Sequence, residues 1–167
     1  MSKSFGDLRD DLIWRSAGSG SRATNAAKVG KKRSSQAGDI TATDSRATVF
    51  IQKFLVECKS YKDLKLEGLF WRSSAGPISI CVDDPIVQAK QHGKWPMLIL
   101  KQNQRTPVII VHRSIAKVVA NVSGIAPVVT FVRGEGPALE VFSVFSMPDF
   151  IEYVDASNFI KQVPVRA

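Results

Sequence analysis

The feature that most constrains this chain is a series of short apolar runs with one helix signal set between them. Residues 48–58 (TVFIQKFLVEC), 96–100 (PMLIL) and 108–112 (VIIVH) are dominated by β-branched, aromatic and aliphatic side chains, which suit strands. After the first of them come Asp83-Asp84-Pro85, acidic residues ahead of a proline, which predict a helix N-terminus and a helix running to about Gln91 and stopping at Gly93. A strand, a helix and a strand in that order require a crossover, so part of the sheet should be parallel.

Further strands are expected at residues 39–43 (DITAT), 127–132 (PVVTFV) and 139–145 (LEVFSVF). The turn-like Asp44-Ser45-Arg46 separates 39–43 from 48–58, and these two runs read as an antiparallel pair. Lys101–Pro107 is a polar loop, Met147-Pro148-Asp149-Phe150 opens a closing helix, and residues 6–14 fit a short helix or a strand. Trp71 and Trp95 are expected in the core, His92 at a helix C-terminus and His112 in a structural role. The fold class is α/β, with a mixed central β-sheet.

Charge narrows the partner. Lys and Arg number 23 against 15 Asp and Glu, a net charge of +8 that suits a polyanion. Residues 1–38 carry Lys3, Arg9, Arg15, Arg22, Lys28, Lys31, Lys32 and Arg33 against Asp7, Asp10 and Asp11, whereas residues 120–167 are net acidic. Residues 16–38 hold almost no large apolar side chain and should form a loop. Arg15 just before it, Ser16, Ser19, Ser21 and Arg22 within it, and further on Lys31, Lys32 and Arg33, supply phosphate-contacting groups. No apolar run is long enough to cross a bilayer, and the first residues lack a signal-peptide core, so a cytoplasmic protein is expected. Cys58 and Cys81 fit no zinc spacing and read as buried free thiols, Cys58 facing the core.

The chemistry is carried by Gly38-Asp39-Ile40 and Val56-Glu57-Cys58-Lys59. Glu57 and Lys59 are two apart in a strand and share a face. Asp39 opens the neighbouring strand, close enough to Glu57 to share a cation. A hard ion such as Mg²⁺, with Mn²⁺ as substitute, takes oxygen ligands, and the Cys58 backbone carbonyl would add one to the two carboxylates. Lys59 would position water or steady charge on a phosphate.

RSAGSGSR (15–22), GDI (38–40) and LVECKSY (55–61) together resemble the PD-(D/E)xK endonucleases, most closely the archaeal-type Holliday junction resolvases and their bacteriophage-encoded relatives. The resemblance covers roughly residues 9–112 and implies a restriction-endonuclease-like sheet flanked by helices. It implies a nuclease core over 1–118, with its basic loop at 15–38, and a C-terminal extension, 119–167, packed on the same domain. Carried over by position, Asp39 and Glu57 are metal ligands, Lys59 is the catalytic lysine, Ser19 or a neighbouring serine contacts phosphate, and Arg15 and Arg22 are basic contacts. Lys101 or Gln102 would lie near the rim of the site. Family members usually open with a longer helix bearing an additional metal-binding glutamate; here Asp10 or Asp11 is the candidate for that place. The implied activity is metal-dependent hydrolysis of DNA phosphodiesters, with a four-way junction as substrate and a homodimer to match its two-fold symmetry. A general or restriction-type nuclease, a non-catalytic DNA-binding module of the same fold, and an assembly protein with an incidental motif remain open.

Overall fold

The computed structural model describes residues 13–15, 38–42, 45–62, 77–134 and 139–166, with the backbone alone at 13–15, 46 and 77–80. Two short strands, β1 (Ile13–Arg15) and β2 (Ile40–Ala42), pair antiparallel, Arg15 opposite Ile40. Helix α1 (Ser45–Lys53) follows, then β3 (Phe54–Tyr61), α2 (Pro77–Gln91), β4 (Trp95–Gln102) and β5 (Val108–His112). Helix α3 (Arg113–Ser123), β6 (Val129–Arg133), β7 (Glu140–Ser146), α4 (Met147–Tyr153) and α5 (Ala156–Gln162) complete the order. The main sheet runs β3-β4-β5-β7-β6; β3 and β4 are parallel and every other neighbouring pair is antiparallel. The α/β class and the partly parallel sheet match the sequence reading.

Three expectations are corrected. Residues 48–53 are helical, so 39–43 and 48–58 do not form a hairpin, and β2 takes β1 as its partner. Their β-branched content suggested a strand, but Ala47, Phe50, Ile51 and Phe54 are buried while Thr48, Val49 and Gln52 are exposed. That spacing is helical, and burial of one helix face outweighs weak propensity. The helix expected from Asp83 begins at Pro77 and carries Pro85 inside it. Proline is suited to the first turn, where Pro77 stands, and an internal one costs about 3 kcal/mol. Val82, Ile86 and Ala89, all buried on one helical stripe, continue across Pro85 and offset that cost. Helix α3 was not foreseen, although Ile115, Ala116, Val118 and Val119 are buried at helical spacing and the helix ends at Gly124.

The two faces of the sheet are covered differently. Phe54, Val56, Met97, Ile109, Val111 and Phe145 pack against side chains of α1, α3, α4 and α5. On the other face Leu98, Leu100, Ile110, Phe142 and Val144 meet Val82 and Ile86 of α2. The chain's end is tied down by polar groups: Lys53 Nζ donates to the carbonyls of Ile160 (2.8 Å) and Val163 (2.7 Å), and Trp95 Nε1 donates to Pro164 O (2.8 Å). Among the described residues no helix is long and apolar enough to cross a membrane.

His112 has the structural role expected of it. Its Nδ1 accepts from Ser114 N–H (3.2 Å) as the N-cap of α3, and its ring stacks on Trp95 and meets Phe142 edge-on. Burial holds its pKa below the ordinary value, with Arg166 and Lys90 adding to the effect and Glu140 opposing it. A cap acceptor must be unprotonated, so the folded state favours the neutral ring. The stability this contributes is present above the unfolded pKa, about 6.5, and is lost as pH falls through it. Between pH 7 and pH 5 the wild type should therefore lose more stability than His112→Asn, which keeps a cap acceptor that does not titrate. Urea midpoints at the two pH values test this; equal losses would exclude His112 as the source.

Candidate active site

Strand β3 lies at one edge of the main sheet. One side of its backbone pairs with β4; groups on the other side need partners from elsewhere. The segment entering β2 supplies two of them. Asp39 N–H donates to Val56 O at 2.8 Å, and Asp39 Oδ2 accepts from Cys58 N–H at 2.8 Å. The two bonds bracket residue 57, so Asp39 is fixed beside Glu57 through the backbone of β3 itself. Gly38 makes the approach possible. Its φ is +100°, and a Cβ there would stand 2.8 Å from Val56 O and 3.2 Å from Val56 N.

Asp39 and Glu57 are each only 6% exposed, an unusual place for two acids. Glu57 forms an ion pair with Lys59, two residues on along the same face. Burial pushes the Glu57 carboxyl above its ordinary pKa; its bond to Lys59 opposes this, while the charges of Asp39 and Asp84 reinforce it. Burial acts to lower the Lys59 ammonium, but its bond to Glu57 and the charges of Glu57 and Asp39 prevail and raise it. Two buried carboxylates against one ammonium leave a local excess of negative charge.

That excess is the condition a cation relieves. The donors fit a hard divalent ion: carboxylates from Asp39 and Glu57, and the Cys58 carbonyl, which by strand alternation points off the same edge as the amide that Asp39 takes. Among the described residues no group of three acidic, histidine or cysteine side chains is gathered closely enough to hold a metal, so the remaining ligands of such an ion would be main chain, water or substrate oxygens.

An open cavity of about 630 Å³ adjoins these groups, lined by Asp39, Cys58, Lys59, Ser60, Tyr61, Ile99 and Lys101. Cys58 is exposed here, which corrects the expectation that it faces the core; only Cys81 is a buried thiol. Phe54 to Glu57 are covered, but from Cys58 onward the strand runs past its packing layers. Lys101 lies at the rim, as the resemblance implied. Tyr61 was missed, although it is the next residue after Glu57 and Lys59 on the same face. Its hydroxyl accepts from Cys81 Sγ–H of α2 (3.0 Å). Asp10, Asp11, Ser16, Ser19, Ser21, Arg22, Lys31, Lys32 and Arg33 lie outside the described residues, and of Arg15 the backbone alone is described.

A mixed sheet flanked by helices, with an aspartate fixed against an edge strand that carries Glu-x-Lys, is the restriction-endonuclease-like architecture of the PD-(D/E)xK class. The family model described as phage putative PDDEXK endonuclease matches residues 1–147, and the chain belongs to that family: it is a phage-type nuclease. No curated protein and no solved structure matches the chain.

Proposed function

We propose that the protein is a metal-dependent, structure-selective DNA endonuclease, and specifically a Holliday junction resolvase, with Asp39, Glu57 and Lys59 as its catalytic residues. The observation that carries the catalytic part is the bracketing of Glu57 by the two Asp39 bonds, which holds two carboxylates in one place without help from a substrate. Asp39 and Glu57 would hold Mg²⁺, or Mn²⁺ in its place, with the Cys58 carbonyl. When bound, such an ion lowers the pKa of water and polarises a phosphoryl oxygen.

The chain's own groups do the rest. Asp39, already engaged through Oδ2 with Cys58 N–H, keeps its carboxylate from rotating. Lys59, partly exposed at the cavity, orients the attacking water and offsets charge on the phosphate as it develops. The cavity is open and partly polar, which suits a phosphodiester backbone, and among the described residues it gives no enclosed pocket for a base, in keeping with recognition of DNA shape. Residues 15–33 would grip the backbone without reading sequence, making affinity steeply salt-dependent. The choice of a four-way junction, a homodimer and the cytoplasm of an infected cell rests on the resemblance of RSAGSGSR, GDI and LVECKSY. We take residues 1–118 as the nuclease core and 119–167 as packed on the same domain; β6 and β7 join the main sheet, which supports a single unit.

The purified protein is tested on a synthetic four-way junction and a matching linear duplex, with and without Mg²⁺. Symmetric metal-dependent nicking of the junction alone is the expected result. Cleavage of both substrates would leave a general nuclease, and tight binding with no cleavage would leave a DNA-binding module.

A further inference from the structure

Strands β3 and β4 end side by side, Tyr61 opposite Gln102, and the chain then turns through Asn103–Arg105. Arg105 N–H donates to Gln102 O (3.1 Å), closing the turn, and Asn103 N–H donates to Tyr61 O (3.1 Å), fastening it to the end of β3. At its tip Gln104 has φ +59°, in the left-handed region that side chains rarely adopt. Glycine would sit there without strain, whereas this chain places an exposed glutamine at the tip.

A second cavity, of about 540 Å³, is lined by Lys62, Gln102, Asn103, Gln104 and Arg105. Its Lys62 and Gln102 directly follow Tyr61 and Lys101, which line the active-site cavity, along the two strands. Among the described residues, the lining cations of the two cavities are Lys59, Lys62, Lys101 and Arg105, and the lining acid is Asp39. Cations that lead away from the acidic pair and end on a fastened turn match one partner, a nucleic-acid backbone.

We propose that the β4–β5 turn is a second DNA-contacting surface, in which Lys62 and Arg105 hold backbone phosphates flanking the one in the active-site cavity. The proposal rests on the nuclease reading and adds to it an element apart from the basic N-terminal segment. Each of the two cations, on contacting a phosphate, displaces condensed counterions and so adds about 0.9 to the dependence of log K on log salt for duplex DNA.

The test is binding of a fluorescently labelled linear duplex, without divalent metal, across a potassium chloride series. The double variant Lys62→Ala, Arg105→Ala should bind at least tenfold more weakly, with a salt slope shallower by roughly 1.8. Both residues are exposed, so its Tm should match the wild type; Lys62→Gln, Arg105→Gln serves as a second variant with longer side chains. Lys117→Ala, Lys161→Ala removes two exposed cations from α3 and α5 and should leave the slope unchanged. A wild-type slope in the double variant, or an equal fall in the Lys117, Lys161 control, would overturn the proposal while the nuclease reading stands. Failure of the wild type to bind DNA at all would overturn both.

Discussion

Glu57→Gln should abolish DNA cleavage and at the same time leave the protein at least as stable as the wild type at neutral pH. Loss of a metal-binding carboxylate should lower kcat by roughly three orders of magnitude, equivalent to about 4 kcal/mol of transition-state stabilisation. Stability should move the other way, because the folded state raises the Glu57 pKa through burial, with Asp39 and Asp84 adding repulsion. A carboxyl whose pKa is raised on folding favours the fold most when protonated. Its charged form weakens the fold as pH rises past the unfolded pKa. Glutamine is neutral throughout. The Tm advantage of the variant should thus be present at pH 7, shrink as the pH falls toward the ordinary glutamate range, and be gone below it. Asp39→Asn should also lose cleavage while keeping Tm, since the asparagine carbonyl can still accept from Cys58 N–H. Thermal unfolding at two pH values beside a cleavage assay reads all of this. Wild-type activity in Glu57→Gln would remove Glu57 from catalysis, and a large drop in Tm would mean that its ion pair with Lys59 is a structural requirement.

Gly38→Ala should damage fold and site together. A left-handed φ and a Cβ 2.8 Å from Val56 O both penalise the folded state, by about 1–3 kcal/mol for the backbone strain alone. Val56 O is part of β3, held from the other side by β4, so it has little room to retreat. The segment carrying Asp39 must move instead, which lengthens the bonds to Val56 O and Cys58 N. A displacement near 1 Å at a catalytic group costs about 10²-fold in rate. Urea unfolding should show the destabilisation, and single-turnover cleavage of the variant kept below its Tm should show the rate loss. Full activity with normal stability would mean that Asp39 reaches its place without the close approach at residue 38.

How far the sequence reaches is clearest at the site. The face shared by Glu57 and Lys59 follows from strand alternation alone, and Tyr61 would have followed had the alternation been carried two residues further. The nearness of Asp39 to Glu57 was expected for the wrong reason. A hairpin was inferred between 39–43 and 48–58, whereas helix α1 intervenes and Asp39 meets the open edge of β3 through its own amide and carboxylate. Cys58 shows a second limit: alternation puts it opposite Glu57, but whether that face is core or cavity depends on where the helices stop covering the sheet.

The sequence by itself determined the α/β class and the parallel crossover between the runs at 48–58 and 96–100, and it singled out Asp39, Glu57 and Lys59 as candidates. Each rests on short-range periodicity or on residue types that are costly to bury without a purpose. Tertiary structure alone decided that 48–53 coil into α1, that α2 runs on through Pro85, and that Gly38 brings Asp39 against β3. In each case burial of a whole face, or one close backbone approach, outweighs a local preference worth only about 1–3 kcal/mol.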